Sequence, residues 1–149
     1  MSRRYAEGTA VPVDKSRGEL TGMLTTHGCQ RMAWATEPQA DTLQFELGGQ
    51  SYRFVIGRPT MDDVVAQYRA DGRDWSRVYD PQSKVDAEWR RRWRAHVLLL
   101  KAKLEFVAAG DTTLEREFMP NLVVAGGRQT LGEWLEHSKE GQLLIGAGA

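Results

Sequence analysis

Arg90, Arg91, Arg92 and Arg94 put four guanidiniums in five positions, beside Trp89 and Trp93 and with Lys101 two turns further on. A guanidinium stays charged at all ordinary pH, meets phosphate oxygens two at a time and stacks on flat rings. That chemistry suits neutralisation of nucleic-acid phosphates, with a flanking indole available to a base. The candidate nucleic-acid contacts are therefore Arg90, Arg91, Arg92, Arg94 and Lys101. The competing reading is a solvated helix face whose arginines pair with acidic residues, and Trp89 and Trp93 also fall on an apolar stripe. A second cluster is Gly72-Arg73-Asp74-Trp75-Ser76-Arg77. An aromatic between arginines is the composition of an interface anchor, which makes Arg73, Trp75 and Arg77 candidate protein-binding residues. Trp75 can equally fold back onto the core.

Catalytic chemistry finds less to use. Asp62, Asp63, Asp71, Asp74 and Asp80 could hold a divalent cation in a metal-dependent nuclease only if they converged on one point. In a stretch that also holds Arg58, Arg69, Arg73 and Arg77, they read more simply as turn formers and surface ion pairs. His27 and Cys29 lack the second pair that a tetrahedral zinc site needs, and no third group orients them as a nucleophile and base. Gly126-Gly127 lacks the lysine or third glycine of a phosphate-cradling loop. No catalytic residue, metal site or cofactor is expected.

The wider composition is that of an ordinary folded chain. The 149 residues are 41% apolar and 27% charged, with 20 basic and 20 acidic side chains, so disordered and fibrous classes fit poorly and no global field recruits a polyanion. The charge is nevertheless segregated. Residues 84–109 hold seven basic and three acidic residues (+4), and residues 110–149 hold three and six (−3). No apolar run approaches the ~18 residues of a membrane span. The basic N-terminus lacks an apolar segment for secretion, so a cytoplasmic location is expected.

These residues must be positioned by an α+β fold. A first helix is predicted from Asp14 or Ser16, with Ser16 and Glu19 at capping-box spacing, Leu20, Met23 and Leu24 as its stripe, and Gly28 as its stop. Arg31 to Thr36 reads as a strand. Leu43, Phe45 and Leu47, then Tyr52, Phe54 and Ile56, alternate about Gly48-Gly49, which predicts a hairpin with a primed turn and one apolar face. Residues 60–83 read as an irregular connector in which Met61 to Tyr68 could form a short helix. From about Lys84 to Ala109 the stripe Trp89, Trp93, Val97, Leu100, Leu104, Val107 predicts one long helix stopped by Gly110. Thr112 with Glu115 and Thr130 with Glu133 predict two shorter helices about a brief strand at Leu122 to Val124. The expectation is a three-stranded antiparallel meander packed against the long helix and shorter helices, in a single domain over residues 1–140, with 141–149 a flexible tail.

The run Ser2-Arg3-Arg4-Tyr5-Ala6-Glu7-Gly8-Thr9, with Val11-Pro12-Val13 and Lys15-Ser16-Arg17, resembles a group of small uncharacterised proteins of phages and prophages. The resemblance returns at Arg92-Trp93-Arg94-Ala95, Lys101-Ala102-Lys103-Leu104-Glu105, Glu117-Phe118 and Leu131-Gly132-Glu133-Trp134-Leu135. It implies a phage-type accessory protein in the cytoplasm of the host cell and carries no activity or functional residues with it. Two functions follow as expectations. The first is a non-catalytic accessory protein contacting nucleic acid, or a nucleic-acid-processing protein complex, through its basic helix. The alternative is a protein-binding inhibitor or adaptor acting on a host defence or replication complex through Trp75. Self-association into a homo-oligomer is open on the sequence, and no membrane partner is expected.

Overall fold

The computed structural model describes residues 3–146. Helix α1 runs over Val13–Thr26. The fixed φ of Pro12 pre-organises the first turn, and its carbonyl accepts the Ser16 N–H at 3.1 Å. The helix thus begins ahead of Ser16, which is fully buried inside it rather than capping it. At the other end Gly28 takes φ +94°. Its N–H donates to the Thr25 carbonyl and the Cys29 N–H to that of Leu24, the closure that a left-handed residue after a helix permits.

Strands β1 (Arg31–Thr36), β2 (Ala40–Leu47) and β3 (Gln50–Gly57) form an antiparallel sheet in that order. Gly48 and Gly49 both have positive φ, 59° and 77°, as a primed two-residue turn demands. The expected face forms: Leu43, Phe45, Leu47, Tyr52, Phe54 and Ile56 are all buried.

The stretch read as an irregular connector is ordered. Helix α2 spans Met61–Ala70, with Thr60 and Asp63 bonded reciprocally as a capping box, and Trp75–Arg77 forms a 3-10 turn. Helix α3 covers Pro81–Ala109, 29 residues and roughly 43 Å at 1.5 Å per residue. Its extra first turn follows from Asp80-Pro81: proline is favoured in a first turn, and the Asp80 carboxylate accepts the Ser83 N–H at 3.2 Å. Trp93, Val97, Leu100 and Leu104 form its buried stripe, and Gly110, at φ +80°, ends it.

Helix α4 is Leu114–Phe118, and its cap is Thr113, not Thr112. Strands β4 (Val123–Val124) and β5 (Gln129–Thr130) pair antiparallel. Helix α5 (Leu131–His137) opens on the expected Thr130–Glu133 capping box. The tail carries a further helix, α6 (Lys139–Leu144). A Cβ on its buried Gly141 would lie 2.5 Å from the Leu135 Cα, so only glycine admits this approach. Residues 147–149 of the expected tail lie outside the described residues.

The chain divides into two compact units: Met1–Met23, Thr36–Asp41 and Ile56–Lys101 form unit 1, and Leu24–Ala35, Thr42–Val55 and Ala102–Ala149 form unit 2. The core of unit 2 is aromatic. Phe118 meets Phe45, Tyr52 and Phe54 at ring separations of 6.2, 5.6 and 5.9 Å, distances at which tilted rings attract. Asn121 Nδ2 donates to the Arg53 carbonyl and the Arg53 guanidinium to that of Gly127, which ties the loop around β4 to β3. Among the described residues, no helix is long and apolar enough to cross a membrane.

Gly18 lies exposed within α1, and a Cβ there would touch nothing within 4 Å. Gly18→Ala should therefore stabilise the protein by about 0.5–1 kcal/mol, because alanine leaves less backbone freedom in the unfolded chain. Thermal denaturation followed by circular dichroism should show a midpoint higher by ~2–3 °C. A lower midpoint would mean that this face of α1 has no room for a methyl group.

Candidate nucleic-acid interface

Unit 1 is organised around two buried carboxylates. Asp41, at the start of β2, is 1% exposed and accepts from Arg17 at 3.0 Å and from Arg58 at 3.1 Å. Each guanidinium also lies over an indole of α3: Arg17 is 5.1 Å from the Trp93 ring and Arg58 is 4.8 Å from that of Trp89. The two indoles meet edge to face at 6.1 Å. Trp89 and Trp93 are therefore engaged by the protein's own arginines and by packing, which favours the apolar-stripe reading of both over that of an indole offered to a base.

Glu88 is the second buried carboxylate, at 6% exposure. Arg91 Nε and Nη2 each donate to it at 2.8 Å, a bidentate pair, while Arg91 Nη1 donates to the Tyr5 carbonyl at 3.1 Å. Arg92 Nε donates to the same carboxylate at 3.2 Å, its Nη1 to the Gly57 carbonyl at 2.8 Å, and its Nη2 lies 3.6 Å from Asp63. Gln67 of α2 completes the shell at 3.2 Å. Burial pushes the Glu88 carboxyl up, but the hydrogen bonds and charge of Arg91, with Gln67 and Arg92, outweigh it and hold the group below its ordinary range. Two of the expected nucleic-acid contacts, Arg91 and Arg92, are thus committed within the fold. The reason is helical spacing: Glu88 stands three and four residues before them, where helix side chains become neighbours.

The remaining members of the set behave differently. Arg90, Arg94 and Lys101, at i, i+4 and i+11, share the other flank of α3. Arg94 pairs with Glu19 of α1. Among the described residues neither Arg90 nor Lys101 has an ion pair. The hydrogen bond from Arg94 lowers the Glu19 pKa; partial burial opposes this, and the charges of Arg94, Lys101 and Lys15 add to the lowering. Lys15, which sequence reading missed, thus belongs to the same basic flank. The i, i+4 spacing of Lys15 and Glu19 in α1 was the signal available.

The second cluster is built on Tyr68, buried in α2. The Arg73 guanidinium lies 3.9 Å from the Tyr68 ring and donates to its hydroxyl at 2.9 Å. Trp75 packs edge-on against the same ring at 5.0 Å and is half-buried, the folded-back arrangement. Arg77 is exposed and pairs with Asp74 at 3.3 Å, and Tyr79 beside it is wholly exposed. Four of the five candidate aspartates are engaged within the fold. Asp63 and Asp74 cap α2 and the 3-10 turn, Asp71 pairs with Arg4, and Asp80 caps α3. Cys29 is buried, and its Sγ donates to the Arg31 carbonyl. Comparison with protein families, curated proteins and solved structures finds no match to this chain.

Glu88 ties two arginines to α2 and to the residues around Tyr5 and Gly57, so its charge should matter to stability. Because its pKa is lowered on folding, that stabilisation is present above the unfolded carboxyl range near ~4.3 and is lost as pH falls through the lower folded value. Glu88→Gln should cost roughly 2 kcal/mol at pH 7, less than a fully buried pair because both arginines keep some solvent exposure. Chemical denaturation of parent and variant between pH 7 and pH 3 should show the gap closing below pH ~4. A gap that stayed constant with pH would remove the carboxylate charge from the account.

Proposed function

We propose that the protein is a non-catalytic accessory module that contacts nucleic-acid phosphates through the flank formed by Arg90, Arg94 and Lys101 of α3 with Lys15 of α1. The observation that supports this is the ion pairing on the flank: Glu19 is bonded to Arg94, and among the described residues Lys15, Arg90 and Lys101 have no ion pair, so cationic groups remain after the internal pairing. From Arg90 to Lys101 the helix advances roughly 16 Å, which matches about five steps of a duplex at 3.4 Å each. An array of this kind neutralises phosphates without reading bases, so the contact is sequence-tolerant. The resemblance of the N-terminal and α3 blocks to small phage and prophage proteins fits an accessory role of this sort.

The experiment is a salt series of oligonucleotide binding followed by fluorescence anisotropy. Four phosphate contacts give a log–log slope of about −3.6, and Arg90→Gln with Lys101→Gln should reduce it by about 1.8. Arg91→Gln should leave the slope unchanged while lowering stability, because that side chain serves Glu88. No binding by the parent, or an unaltered slope in the double variant, would refute the reading.

A further inference from the structure

We propose that unit 1 holds a second, separate site, a cleft that binds a phosphoryl group. The cleft has a volume of about 200 Å³, and Arg4, Tyr68, Arg73, Lys84, Glu88 and Arg91 line it together with Glu7. That volume exceeds several times the ~30 Å³ share of one water and stays below the ~300–1,000 Å³ of sites for drug-sized ligands. It suits one compact group.

The charge of the lining is unbalanced, and the surplus has an address. Four cations face two carboxylates. Glu88 is saturated by Arg91, Arg92 and Gln67, and Glu7 accepts the backbone N–H of Arg4 at 2.8 Å. Arg4 pairs with Asp71, and among the described residues neither Arg73 nor Lys84 has an ion pair, so the cationic charge left for a ligand stands on these two. Arg73 is also pre-positioned: its plane rests on the Tyr68 ring and one N–H is fixed by the Tyr68 hydroxyl, which leaves its other donors to a ligand. Arg4, also of the lining, is held in place by Asp71 at 3.3 Å.

A phosphate monoester carries about −1.5 to −2 charges at pH 7 and three strong acceptor oxygens, which two unpaired cations with several N–H donors between them can meet. A single carboxylate would satisfy only half of that charge. The shared chemistry is the phosphoryl dianion, whether on a metabolite, a phosphorylated side chain or a nucleotide.

Calorimetric titration of the full chain at constant ionic strength, with inorganic phosphate, O-phosphoserine, AMP and succinate, tests the assignment. Binding of one or more phosphoryl probes and little of succinate is expected, and the tightest of the three identifies the source of the group. Arg73→Gln with Lys84→Gln should weaken binding at least about tenfold, while Arg77→Gln, outside the cleft, should not change it. Should the double variant lose its circular dichroism spectrum, Lys84→Gln alone keeps the test, because that exposed side chain supports no packing, and a loss of about threefold is expected. The proposal is overturned if no phosphoryl probe binds, if succinate binds as tightly as phosphate, or if the variants bind as the parent does.

Discussion

A carboxylate taken out of water must be met by cations that also satisfy its lone pairs, and this requirement governs unit 1. Asp41 and Glu88 are both buried, and each is held by two arginines: Arg17 and Arg58 for the first, Arg91 and Arg92 for the second. Removing either partner would leave an uncompensated charge in a poorly solvated place, which costs more than the intact pair contributes. The arrangement therefore acts more as a specification of which elements meet than as a reservoir of stability. Glu88 with its two arginines draws together the backbone at Tyr5 through Arg91, the end of β3 at Gly57 through Arg92, α2 through Gln67, and α3 itself.

This constraint explains why the richest run of basic residues is a poor guide to where charge remains available. Consecutive residues advance about 100° around a helix of 3.6 residues per turn, so Arg90, Arg91, Arg92 and Arg94 cannot all share one face. Arg91 and Arg92 turn toward Glu88, whereas Arg90 and Arg94 turn toward the flank that Lys101 extends. The i−3 and i−4 relation of Glu88 to Arg91 and Arg92 is readable in the sequence. The pairing of Asp41 with Arg17 and Arg58 spans 24 and 17 residues and is not, because nothing local encodes it.

The elements show the same division between local and non-local signals. The Gly48-Gly49 hairpin, strand Arg31–Thr36, the α3 stripe and the Thr130–Glu133 box were all evident, since each rests on a short-range pattern that tertiary structure only confirms. α1 and α3 begin a few residues ahead of the starts expected from the sequence, next to Pro12 and at Pro81. The Thr60–Asp63 capping box went unnoticed beneath the turn-rich composition that follows it. At residues 112 and 113 two adjacent threonines offer the same hydroxyl, and only the backbone geometry chooses Thr113.

The chain is neutral as a whole, yet unit 1 holds 14 basic and 12 acidic residues, and unit 2 holds 6 and 8. A net of +2 on unit 1 is small, and its effect depends on where the unmatched groups stand rather than on their number. Pairing inside the fold cancels charge where arginines are densest and leaves it at Arg90 and Lys101 on one flank of α3, and at Arg73 and Lys84 around the Tyr68 cleft. At an ionic strength of ~0.15 M charges are screened beyond about 8 Å, so two such places act as separate local fields. If both proposals hold, a weakly charged protein presents in this way two anion-binding surfaces of different character, a helix flank suited to a repeating polyanion and a half-open cleft suited to a single oxyanion.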